Sequence, residues 1–257
     1  MLSVREIGDE TLRDDGCGEA REILTTTKDK RRVSDDGTSE LRRARWGITV
    51  QIGLVAALVV LFLTLGIVVK SGRTLAFDER AHRFVRGPAP TEFEEDDTSF
   101  RTRFMHLGVD IGTATALFVP LTALILVGLH RRRAAALLLL STGGSVVLTL
   151  CLKGLFQRTR PDQACAHGPL CVISYLYPSN HTVLSLVSYG LIGALIAARL
   201  TRGRRALVIL FVILTVAFVA VSLVYLNTHY LTDVIGGFLI GSAWLIVSLR
   251  LLRQIEA

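Results

Sequence analysis

Three short blocks hold the side chains of this sequence best suited to chemistry. They are Lys153 through Arg160-Pro161, then Pro178-Ser179-Asn180-His181, then His229 through Asp233. Each stands at the end of an apolar run. Ionisable groups are costly beside lipid, so a lysine, an arginine, two histidines and an aspartate in such places mark a candidate site. Their types suit phosphoryl transfer without a metal. Cations take the phosphate oxygens, one imidazole is the nucleophile, and a second protonates the leaving group.

His229 and Asp233 are four residues apart at an expected helix start, so they share a face. A carboxylate on one imidazole nitrogen fixes the tautomer and makes the other nitrogen a better base or nucleophile. Alone, such a pair more often marks a structural ion pair or a helix cap. Pro178-Ser179-Asn180-His181 precedes an apolar helix, with Ser179 or Asn180 as N-cap, and the free N–H groups of such a turn attract anions. Lys153 and Arg160 are seven apart, two turns on one helix face, and Pro161 breaks the helix just beyond. They suit one phosphate, or simple anchoring at a membrane surface. Arg158 and Asp162 read as a local pair or as solvent-facing groups. His82, His106, His130 and His167 receive no role.

The elements that must position these blocks are membrane helices. The 257 residues are 51% hydrophobic, and the mean hydropathy of +0.48 is too high for an ordinary soluble domain. The expected class is all-α, a polytopic bundle of six transmembrane helices. The spans fall at about 47–69, 107–129, 134–155, 182–200, 205–226 and 229–251. Residues 1–46 are polar, carry both charge signs, and read as a disordered cytoplasmic tail before a membrane domain at 47–257. Thr74 to Arg86 reads as a short surface helix with Leu75, Phe77, Ala81 and Phe84 as its loose apolar face.

A formal charge of +7 would suit nucleic acid, but the arginines cluster just beyond apolar runs, as topology signals do. Arg42, Arg43 and Arg45, then Arg131 to Arg133, then Arg199, Arg202, Arg204 and Arg205, then Arg250 and Arg253 all fall on one side of a six-span bundle. The positive-inside rule puts that side, with both termini, in the cytoplasm. Lys153, His181 and His229 then meet at the extracytoplasmic rim. Cys165 and Cys171 flank one outer loop, where pairing and two free thiols both stay open. No residue cluster has the look of a metal site. No cofactor and no nucleic acid partner are expected. The expected partners are the membrane and a phosphate-bearing lipid.

In order and spacing the blocks resemble the type 2 phosphatidic acid phosphatase superfamily, whose pattern is Lys-x6-Arg-Pro, Pro-Ser-Gly-His and Ser-Arg-x5-His-x3-Asp. Lys153 to Pro161 matches fully. Asn180 stands in place of Gly, and Leu223, after Ser222, stands in place of Arg. The resemblance implies a metal-independent phosphatase of lipid phosphates. His229 would attack phosphorus, Asp233 would hold it, and His181 would protonate the departing alkoxide. Lys153, Arg160, Ser179 and the backbone of Asn180 would bind phosphoryl oxygens. The implied substrate is a polyprenyl diphosphate or monophosphate, phosphatidic acid or phosphatidylglycerophosphate. Asn180 is tolerable, because Asn accepts left-handed angles and keeps its N–H. Leu223 removes a cation, with Arg158 and Asn227 as the nearest substitutes, and an arginine restored at 223 is expected to raise activity. A non-catalytic lipid-phosphate binder is the alternative. A transporter is disfavoured, since there is no internal repeat and no charge near the middle of a span.

Overall fold

The computed structural model describes residues 47–87, 99–159 and 171–256. The tail at 1–46 lies outside the described residues. The chain divides at Ile52. Residues 47–52 are the opening turns of the first helix.

The helices are α1 (Gly47–Lys70), α2 (Leu75–Arg86), α3 (Phe100–Thr113), α4 (Thr115–Gly128), α5 (Arg132–Phe156), α6 (Cys171–Ser174), α7 (Asn180–Ala197), α8 (Arg202–Tyr225) and α9 (Leu231–Glu256). No strand occurs among the described residues. By length and composition α1, α5, α7, α8 and α9 each suffice to cross a membrane, and α3 with α4 makes a sixth crossing bent by 41°. This is the expected six-span all-α bundle.

The second span departs from the expected 107–129. It begins at Phe100 and breaks at Ala114. A local cause lies there. The Thr115 hydroxyl donates to the Gly112 carbonyl at 2.8 Å and so competes with the helical ladder. Pro120, inside α4, leaves the carbonyl of residue 116 without its ladder partner just beyond the break.

Helix α7 is the axis of the bundle and packs against α3, α4, α5, α8 and α9. Its buried residues include small or hydroxylated ones, Thr182, Ser185, Ser188 and Gly193, which let neighbouring helices come close. The tightest approach that matters to the site is α9 on the start of α7. A Cβ added to Gly237 would stand 2.9 Å from Thr182 Cβ and 3.0 Å from the Ser179 carbonyl oxygen. Only glycine permits that contact. At the other end of the bundle, Ser141 of α5 and Ser248 of α9 hydrogen-bond in the core, and Arg131 pairs with Glu256.

Helix α2 is the short helix expected at 74–86, but its faces are arranged differently. Leu75 and Ala81 are half-buried, while Phe77 and Phe84 point outward, Phe84 at 90% exposure. The inward face carries Asp78, which is 0% exposed. The segment therefore docks through a carboxylate rather than an apolar stripe.

Candidate active site

Local chain geometry assembles the site at one end of α7. The Ser179 side chain caps α7, with the Thr182 hydroxyl donating to Ser179 Oγ at 3.1 Å. Its own O–H therefore stays free to donate. Asn180 and His181 occupy the first turn, where backbone N–H groups have no partner within the helix. A phosphate is suited to that position. Upstream, Tyr177 is fully buried against Phe62 and Phe156. Its hydroxyl donates to the Phe62 carbonyl at 2.9 Å, which pins the Pro178-Ser179 turn to α1.

The third block differs from its expected form. His229 does not open α9, which begins at Leu231. Asn227 takes a left-handed φ of 53° and turns the chain out of α8. The Leu223 carbonyl then accepts the N–H groups of Thr228 at 3.1 Å and His229 at 3.2 Å. Asp233 works as the returning half of a helix cap, its Oδ2 accepting the Tyr230 N–H at 2.9 Å. The same oxygen lies 3.8 Å from His229 Nδ1, an ion-pair separation longer than a hydrogen bond. Cap and imidazole partner are thus one carboxylate, where the sequence posed them as alternatives.

The blocks converge. The rings of His181 and His229 lie 6.4 Å apart, near a T-shape. The Ser179 N–H donates to the Asp233 carbonyl at 3.1 Å, which ties the second block to the third. Lys153 is buried near the end of α5, and its ammonium donates to the Ile173 carbonyl at 3.1 Å. Arg160 lies outside the described residues, as do Cys165 and the side chain of Cys171. Among the described residues no cluster of His, Cys, Asp or Glu is suited to hold a metal.

Asp78 enters the site without having been expected there, and Arg158 enters it in a different role from either that the sequence offered. Arg158 neither faces solvent nor substitutes for a cation at 223. Its Nη1 donates to Asp233 Oδ1 at 2.5 Å and to Thr232 Oγ1 at 2.7 Å. Its Nη2 donates to Asp78 Oδ2 at 2.7 Å, and its guanidinium stacks 4.4 Å over the Tyr230 ring. Asp78 also accepts the Thr232 N–H at 2.9 Å. The spacing of Asp78 with Thr74 and Leu75 on one helix face was a signal that it points inward. Nothing local indicated its partner, because Asp78 and Arg158 are 80 residues apart. Leu223, for its part, leaves no vacant corner. It is fully buried in an apolar cluster with Val219, Ala220, Val224 and Val234.

Residues 134–256 match the family model of the PAP2 superfamily, and they contain all three blocks. Over that segment the chain is similar to the PAP2 superfamily. It is 29% identical over 147 residues to phosphatidylglycerophosphatase B of Bacillus subtilis strain 168, covering 54% of this chain and 68% of that one. The crystal structure of a transmembrane PAP2-type phosphatidylglycerolphosphate phosphatase from Bacillus subtilis superposes with a TM-score of 0.60 at 24% identity. That likeness covers 78% of this chain and 96% of the solved one, and it carries the fold.

Proposed function

We propose that this protein is a PAP2-type membrane phosphatase that hydrolyses a lipid phosphate through a phosphohistidine at His229, with phosphatidylglycerophosphate as the first substrate to test. The observation that carries the reading is the pair of imidazoles, 6.4 Å apart beside the start of α7, one of them backed by Asp233. Asp233 lies on the Nδ1 side, so Nε2 of His229 is the nucleophile. Nε2 forms a bond to phosphorus, and the bond from phosphorus to the lipid oxygen breaks with its electron pair leaving on oxygen. His181 gives that oxygen a proton. Water then attacks the phosphohistidine, His181 takes a proton from it, and inorganic phosphate leaves. Lys153, Ser179, Arg160 and the N–H groups of Asn180 and His181 hold the phosphoryl oxygens, with the helix start favouring negative charge.

The substrate assignment is supported by the name of the Bacillus relative. A polyprenyl phosphate or phosphatidic acid would use the same cradle. The non-catalytic reading rested on Leu223, and none of the comparisons supports it. We place the site on the extracytoplasmic side and the arginine clusters, with the tail at 1–46, in the cytoplasm. The opposite ends of the helices agree: Arg131 to Arg133, Arg199 to Arg205 and Arg253 lie away from the site.

The test is phosphate release from phosphatidylglycerophosphate, phosphatidic acid and a polyprenyl phosphate in detergent. His229→Ala is expected to abolish turnover. His181→Ala is expected to slow it most where the leaving alkoxide is poorest. Retained turnover in His229→Ala refutes the phosphohistidine.

A further inference from the structure

We infer that Asp78 and Arg158 are positioning residues for the nucleophile: they form a buried clamp that fixes the Asp233 carboxylate, and through it the His229 ring. The inference rests on the phosphohistidine reading, because it assigns Asp233 the task of orienting His229.

The clamp is specific in its geometry. Asp233 has two carboxylate oxygens with divided tasks. Oδ2 faces His229 and takes the Tyr230 N–H. Oδ1 is taken by Arg158 Nη1 at 2.5 Å. The rotation of the carboxylate about its last bond is therefore set by Arg158. The guanidinium is fixed in turn by Asp78 on its other nitrogen at 2.7 Å and by the Tyr230 ring beneath it. Thr232 closes the network. Its N–H and hydroxyl reach Asp78 at 2.9 and 2.8 Å, and its hydroxyl also accepts from Arg158 at 2.7 Å. Residues 230, 232 and 233 are thus all gripped, each close in sequence to the nucleophile at 229.

Packing alone does not account for this. Both carboxylates are 0% exposed and Arg158 is nearly so. Buried ions of this kind are expensive to desolvate, and well-packed apolar side chains of similar size are often as stable. What an apolar substitute cannot do is orient an acceptor. The three ionised groups also sum to one negative charge beside His229. An imidazole bonded to phosphorus through Nε2 while Nδ1 keeps its proton is cationic, so that charge favours the intermediate. Asp78 reaches the cluster from α2, outside the segment matched by the family model. The short helix after α1 thereby becomes part of the catalytic apparatus.

The experiment measures the phosphorylation step in a single turnover, using phosphatidic acid labelled at phosphorus and an alkaline detergent quench that preserves phosphohistidine. Wild type, His229→Ala, Asp78→Asn and Arg158→Lys are compared in detergent. Arg158→Lys keeps the charge but not the fork that spans two carboxylates. Melting temperature and competitive inhibition by inorganic phosphate report the fold and the cradle. Expected is a fall in phosphorylation rate and kcat of about 10- to 100-fold in both variants, the range for groups that orient a reacting side chain. KM and phosphate inhibition should be unchanged. Wild-type phosphorylation rates in both variants overturn the inference. So does a loss that vanishes once rates are divided by the fraction of protein that still binds phosphate. Labelled protein in His229→Ala would instead overturn the phosphohistidine reading itself.

Discussion

Replacing Gly237 by alanine should separate the two halves of the site. An ordinary carbon–carbon contact is about 3.5–4.0 Å. The added methyl would begin at 2.9 Å from Thr182 Cβ and 3.0 Å from the Ser179 carbonyl oxygen. Helix α9 must therefore retreat from α7 by roughly 0.6–1 Å. Asp233 lies one turn earlier on the same helix and moves with it. The Ser179 N–H to Asp233 carbonyl bond, now 3.1 Å, would stretch beyond hydrogen-bonding range. Overpacking costs about 1–3 kcal/mol, and about 1 kcal/mol returns from the better helix propensity of alanine. Net destabilisation is modest. The catalytic loss is not, because a misplacement of about 1 Å costs roughly a hundredfold in rate. The assay is kcat/KM on a short-chain lipid phosphate in detergent, beside a thermal melt. Gly143→Ala is the control, since nothing lies within 4 Å of a Cβ there. It should leave activity unchanged. A Gly237→Ala protein with wild-type turnover would refute the claim that this contact sets the distance between the blocks.

Four further outcomes are expected. Leu223→Arg should lower the melting temperature without raising activity. It forces a charge into the Val219, Ala220, Val224 and Val234 cluster at a cost of about 4 kcal/mol or more, and a folded variant with faster turnover would contradict this. Tyr177→Phe loses the hydrogen bond to the Phe62 carbonyl and should cost about 1 kcal/mol in a melt; a loss far larger, or none, would mean the hydroxyl does something else. Turnover should persist in EDTA, and Ser71→Cys, in a background without native cysteines, should label from outside intact cells. Activity lost in EDTA and restored by metal sinks the metal-independent reading, and labelling only from the inner face reverses the orientation.

The bundle was legible because apolar run length is a one-dimensional property. Arginine placement likewise needs no partner to be read. His181, His229, Asp233 and Ser179 were legible because each block keeps its residues within one or two helical turns, and the structure does bring His181 beside His229. What escaped was long-range. Arg158 read as a surface group because its two carboxylates sit 75 and 80 residues away. Leu223 read as a gap in a phosphate cradle because a pattern records which residue is missing, not what fills its space. The structure fills it with an apolar cluster. The bend at Ala114 escaped too, since the hydroxyl competition at Thr115 is decided by backbone geometry.

The ionic cluster also sets the order in which the protein can be completed during synthesis. Asp78 leaves the ribosome 154 residues before Thr232. At ordinary elongation rates that is a wait of roughly 10–30 s. For the first half of it the carboxylate has no Arg158 to pair with, and the Thr232 bonds come only at the end. The hydrogen-bond set of Asp78 is complete only when α9 arrives. A nascent chain halted before α9 keeps Arg158 and Asp78 but neither Thr232 nor Asp233. Such a chain displays an unfinished polar seam, the kind of mark by which membrane quality control tells an incomplete protein from a finished one.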